Sequence, residues 1–93
     1  MTRIHWTYGA RTDLLTCIGH IRKDNPDAAE EMLRLLQRAA ESLARFPRKG
    51  GVGRIGGTRE LVAHPRYILV YAILEDRIDI LSVLHTSRQY PPD

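Results

Sequence analysis

The chain is poor in cysteine, with Cys17 alone, and it lacks any run of apolar residues long enough to cross a bilayer. A lone cysteine excludes an internal disulfide, and no Cys/His spacing matches a closed zinc site, so neither metal nor cofactor is expected. Cys17 reads most simply as a small core residue. The opening MTRIHWTYGARTDLL scatters charges through its length, which excludes a secretory signal and predicts a cytoplasmic protein without a membrane partner. Internal repeats, low-complexity segments and an interdomain linker are also missing, so residues 1–93 are read as one domain. A chain of this size has little core to spare, which leaves room for a partner to add stability.

Acidic residues are scarce in one interval. Arg45, Arg48, Lys49, Arg54, Arg59 and Arg66 face only Glu60 there, within a formal net charge of +3. Such local excess fits either a solvated basic face or a polyanion surface such as nucleic acid.

RIHW is short and rich in β-formers, which predicts a first strand over Arg3 to Thr7. Leu14, Leu15, Ile18 and Ile21 then recur at helical spacing, giving an amphipathic helix from about Ala10 to Lys23. DNPD ends it and starts the next, because Asn25 can cap free amides and Pro26 is pre-set for the first helical position. Met32, Leu33, Leu36, Ala39, Ala40 and Leu43 carry that second helix from Pro26 to Arg45.

The pattern breaks at FPRKGGVGRIGGT, where Pro47 and five glycines intervene. TRELVA, RYILVYAIL and RIDILSVLH follow as strands, with GRI leading in and a tight ED hairpin between the last two. The order β-α-α-β-β-β predicts an α+β sandwich, two antiparallel helices on a mainly antiparallel four-stranded sheet. In the last strand alternation sets Ile78, Ile80, Ser82 and Leu84 against Asp79, Leu81, Val83 and His85, and either set could meet the helices.

Cleaving RNA without a metal requires proton transfer to and from oxygen, and stabilisation of extra charge on phosphorus. Arginine binds phosphate at two points, and His or Tyr can move the proton. Arg59, His85, Arg88 and Tyr90 are therefore the candidate catalytic group, with Arg48, Lys49 and Arg54 as RNA contacts. Each has a structural alternative. Arg59 could pair with Glu75 or Asp79, His85 could be a hydrogen-bonded strand end, and Tyr90 could pack beside the prolines. Glu60 falls on the face opposite Arg59 and reads as a salt-bridge partner, and His64 before Pro65 reads as a turn residue. His5 and His20 have no recognisable partner spacing. GGVGRIGG lacks the arrangement of a phosphate-binding P-loop and is read as a flexible turn.

NPDAAEEM, followed by GRIGGTRELVAHPRYILVYAILEDRIDILSVLHTSRQYPP, resembles the RelE/ParE superfamily of toxins from bacterial type II toxin–antitoxin modules. The likeness spans nearly the whole chain, from IHWTYGARTDL onward. It implies a toxin neutralised by a cognate antitoxin protein in a hetero-oligomer. RelE-like members cut mRNA on the ribosome, and the match of Arg59, with His85, Arg88 and Tyr90 in the tail, favours that activity. ParE-like members inhibit DNA gyrase without cutting RNA, which is the alternative reading, and a degenerate member that only binds antitoxin is a third. Lys49 is the only lysine in the basic loop, a departure from the lysine-rich ribosome-dependent members.

Overall fold

A computed structural model describes residues 2–92. Strand β1 (Arg3–Trp6) leads through Thr7 into helix α1 (Tyr8–Asp24), then α2 (Pro26–Arg45), β2 (Gly51–Val52), β3 (Arg59–His64), β4 (Tyr67–Ile73) and β5 (Arg77–His85). The expected helices are present. Thr7 accepts the Ala10 N–H at 3.2 Å to start α1, and Asn25 serves both helices. Its N–H donates to Ile21 O, and its side chain accepts from Ala28 N at 3.0 Å, so a single residue turns the chain.

The sheet has five strands in the order β1-β5-β4-β3-β2, one more than expected. The extra strand is the Gly51–Val52 pair, with the predicted GRI lead-in lying just beyond it. β1 runs parallel to β5, and every other pairing is antiparallel. Glu75 and Asp76 form the tip of the last hairpin, closed by Leu74 N–H donating to Arg77 O at 2.8 Å.

Neither alternating set in β5 meets the helices whole. The register shifts opposite Val70/Tyr71, and Leu81 is the extra residue. Ile78 and Ile80 face the helices before the bulge, and Val83 faces them after it. They join Leu14, Ile18, Leu36, Leu43, Leu69 and Tyr71 in the main core. A smaller cluster of Ile68, Val70 and Leu84 lies on the other face, with Leu81 and Tyr90 against it.

β1 stops at Trp6, opposite Ile80, so the outer edge of β5 beyond that point has no strand beside it. α1 covers it. Thr7 donates its hydroxyl to Ile80 O at 2.8 Å, and Asp13 accepts the Val83 N–H at 3.0 Å. The Thr7 N–H also reaches Ile80 O at 3.1 Å, so it is Asp13 of α1 that satisfies a backbone group a longer β1 would have paired, and the end of β5 is brought against α1.

Candidate functional site

The basic segment after α2 is held from the inside. Arg59 opens β3 beside Tyr71 and on the helix-facing side. Its Nη2 donates to the carbonyls of Arg48, at 3.2 Å, and of Gly50. Tyr71 is fully buried; its hydroxyl donates to Pro47 O at 2.6 Å and accepts the Gly50 N–H at 3.0 Å. Gly50 is required there, because a Cβ would lie 2.6 Å from Glu60 O and 2.9 Å from the Tyr71 ring. Arg59 Nε is buried without a hydrogen-bond partner among the described residues. Arg48 and Lys49 are displayed on the outside of this clamp, with Lys49 Nζ donating to Ser42 Oγ at 3.3 Å.

On the open face of the sheet, Arg54, Glu60 and Tyr90 form a second group. Arg54 donates to Glu60 through its backbone N at 2.9 Å, its Nε at 3.1 Å and its Nη2 at 3.0 Å. Its Nη1 donates to the Tyr90 carbonyl at 3.3 Å, and the guanidinium lies 5.4 Å from the centre of the Tyr90 ring. Burial and then the Glu60 charge push the Tyr90 phenol above its ordinary range, against an opposing pull from Arg54. Glu60 thus has the salt-bridge role expected of it.

His85 lies at the other end of β5 from the hairpin. It pairs with Tyr67, the two rings edge-on with centres 5.3 Å apart. Its Nδ1 accepts the Ser87 N–H at 3.1 Å and contacts Ser87 Oγ at 2.7 Å, while the Arg88 N–H closes the turn onto His85 O at 2.9 Å. A cleft of about 370 Å³ opens here between Tyr67, His85, Ser87 and Arg88 on one side and Thr16, Cys17 and His20 of α1 on the other. Burial, more than the nearby Asp13 charge, pushes the Cys17 thiol up, so it stays protonated at neutral pH. His64, expected as a turn residue, is instead the last residue of β3, paired with Tyr67, and its Nδ1 accepts the Arg66 N–H of the turn that follows at 3.1 Å.

The four candidate catalytic residues are therefore not brought to one place. Arg59 shares a row with Tyr71 and Ile80, whereas His85 shares one with Tyr67. The rows are five residues apart on β3 and β5, roughly 17 Å along the strands and about 10 Å across them. Arg59 is engaged with backbone carbonyls and with neither Glu75 nor Asp79. Tyr90 packs on the sheet face opposite the one that holds Tyr67. Arg88 lines one cleft with His85 and another, of about 690 Å³, with Tyr90, while Arg54 stands with Tyr90 instead of with Arg48 and Lys49.

Sequence reasoning missed Tyr71 and the α1 residues of the cleft. A signal existed for the latter: Asp13, Thr16, Cys17 and His20 recur at i, i+3, i+4 and i+7, a polar stripe beside the apolar one.

The family model described as ParE toxin of type II toxin–antitoxin system, parDE, matches residues 4–90. Y4kP of Sinorhizobium fredii is 42% identical over 90 residues, covering 96% of this chain and 93% of that one. Toxin RelE2 of Caulobacter vibrioides is 33% identical over 88 residues, covering 95% and 99% respectively. Among solved structures, the chromosomal ParDE system from P. aeruginosa has a chain that superposes with a TM-score of 0.81 at 19% identity, covering 91% of this chain and 96% of that one. At that identity the likeness concerns the fold. A chain of the RelBE2 toxin–antitoxin complex from Mycobacterium tuberculosis superposes at 0.65 with 27% identity, covering 90% and 96%. With a family model matched from β1 to the tail and two relatives covering almost the whole chain, this protein belongs to the ParE family of type II toxin–antitoxin toxins, within the RelE/ParE superfamily.

Proposed function

We propose that this toxin acts by binding DNA gyrase, without cutting RNA, and is silenced by an antitoxin that covers part of its surface. The observation that carries the reading is the position of Arg59. A phosphate clamp must present its guanidinium to the ligand, and here that group is engaged with the carbonyls of Arg48 and Gly50, far from His85. Its role is to stiffen the segment that displays Phe46, Arg48 and Lys49, with Phe46 59% exposed. A rigid loop carrying an aromatic and cations suits protein recognition, because little conformational freedom is lost on binding. An antitoxin is supported by the ParDE and RelBE2 neighbours. The outer edge of β3 beyond Glu60, where Val62 is 67% exposed, is open to an added strand.

One observation favours the other reading, ribosome-dependent mRNA cleavage. Arg54, Glu60 and Tyr90 place a guanidinium, a carboxylate and a phenol side by side on the open face. In that reading they act as phosphate ligand, base and acid, after Arg54 exchanges Glu60 for RNA. Two assays on the same purified protein separate the readings: plasmid supercoiling by gyrase, and primer extension on mRNA in cell-free translation with and without ribosomes. Inhibited supercoiling with intact mRNA is the expected result. Ribosome-dependent cuts with unimpaired gyrase, lost in Glu60→Gln and Tyr90→Phe variants, would overturn it.

A further inference from the structure

The cleft between α1 and the end of β5 has a chemistry that the gyrase-binding reading does not use. Tyr67 forms part of its wall, and its side chain is only 6% exposed. The hydroxyl nevertheless makes no hydrogen bond within the described residues. Burial, ahead of the neighbouring Cys17, pushes the phenol up, so it remains a donor at neutral pH.

His85 supplies a second donor. Because the Ser87 backbone N–H can only donate, Nδ1 must accept, and the neutral ring carries its hydrogen on Nε2. Arg88 supplies a third. Its guanidinium has no ion pair or hydrogen bond among the described residues, in contrast to Arg22, Arg54, Arg59 and Arg77, all of which are engaged. Across the cleft, Thr16 already donates to Thr12 O at 3.0 Å, so His20, with the weaker Cys17 S–H, is the group of α1 able to add a donor.

A phenol, an imidazole N–H and a planar guanidinium around a small cleft form a set of donors without a matching acceptor. Asp13 limits what could complete it. Its carboxylate lines an adjoining recess of about 170 Å³ that also touches Cys17, His85 and Arg88. That negative charge opposes a dianion while leaving one charge balanced by Arg88.

We infer that the cleft formed by Tyr67, His85, Arg88 and His20 is a binding site for a singly charged oxyanion, of the carboxylate or phosphodiester type. Arg88 grips two oxygens, and Tyr67 and His85 donate to the lone pairs that remain.

The test is an NMR titration of the full chain with acetate and, separately, with dimethyl phosphate, following the ring signals of His85 and His20. The free protein shows His85 as the Nε2–H tautomer. Saturable shifts at both histidines are expected with at least one probe, and the tighter probe tells which oxyanion the cleft prefers. Arg88→Gln weakens binding about 10-fold, and Arg88→Lys, which keeps the charge but loses the fork, falls between. Tyr67→Phe also weakens it while keeping the ring in the core. Arg22→Gln, in the last turn of α1 and with its guanidinium already paired with Glu30, binds as the parent does. Absence of saturable shifts with both probes, an Nδ1–H tautomer at His85, or equal losses in the Arg22 and Arg88 variants would overturn the assignment.

Discussion

Arg59 and Arg88 stand at opposite ends of the same sheet and behave as different kinds of residue. Arg59 enters β3 on the helix-facing side, and its guanidinium, bonded to Arg48 O and Gly50 O, has become part of the architecture. Arg88 follows β5 in a turn tied to His85 O through its backbone alone, and its side chain is left for a ligand. Both carry the same charge and both lie in the basic half of the chain. What separates them is which unsatisfied acceptors the fold puts within reach. A non-strand segment doubling back at residues 46–50 needs donors for its carbonyls, and Arg59 and Tyr71 provide them.

Cutting each arginine to its stem is the sharpest way to break that contrast. Arg59→Ala should cost on the order of 3 kcal/mol, or roughly 15 °C in Tm, since two charge-assisted hydrogen bonds disappear and two carbonyls lose their donor. Arg88→Ala should stay within about 0.5 kcal/mol by the same urea and thermal unfolding measurements. Equal losses at the two positions would show that Arg88 too has a structural role.

Tyr71→Phe tests the other half of the clamp. It keeps the ring in the core but removes the partner of Pro47 O and Gly50 N, so a loss of about 2 kcal/mol is expected. Hydrogen exchange at Gly50 should quicken in that variant. Unchanged protection would mean that Arg59 holds the segment alone.

The smallest effect concerns the β1 edge, where Asp79 accepts from Arg77 Nε at 2.8 Å and lies 3.0 Å from His5 Nδ1. The hydrogen bond from Arg77, foremost, holds the Asp79 carboxyl below its ordinary range, with His5 adding to it and partial burial opposing. A carboxyl depressed in the folded state binds fewer protons there than in the unfolded chain. The stability it contributes is full above the unfolded-state pKa and is lost as pH falls through the folded one. Urea unfolding at neutral and acid pH should show this loss in the parent and a flatter profile in Asp79→Asn. Identical slopes would remove Asp79 from the acid sensitivity.

Much of this fold is legible in the residues. Helical periodicity, the Asn25–Pro26 junction and the ED hairpin are local signals, carried by capping, fixed φ and turn chemistry within a few residues. The same locality explains the turn at Pro65–Arg66 that His64 leads into and the salt bridge of Glu60 to Arg54, six residues back. The site was less legible, because it depends on face and register. Alternation alone puts Ile80 and Ser82 on one face, yet the bulge at Leu81 reverses the pattern, so Ile80 and Val83 share the core and His85 turns toward α1.

Composition and periodicity by themselves determined the α+β class, the two helices, the hairpin and the donors available to bind an anion. Tertiary structure alone decided which donors meet. Strand pairing is a long-range choice: it placed Arg59 and His85 in rows five residues apart, sent Tyr90 to the open face, and set His85 and Arg88 against a polar stripe of α1 remote from them in the chain. A change of one residue in register exchanges the faces of a strand, and no local propensity records it.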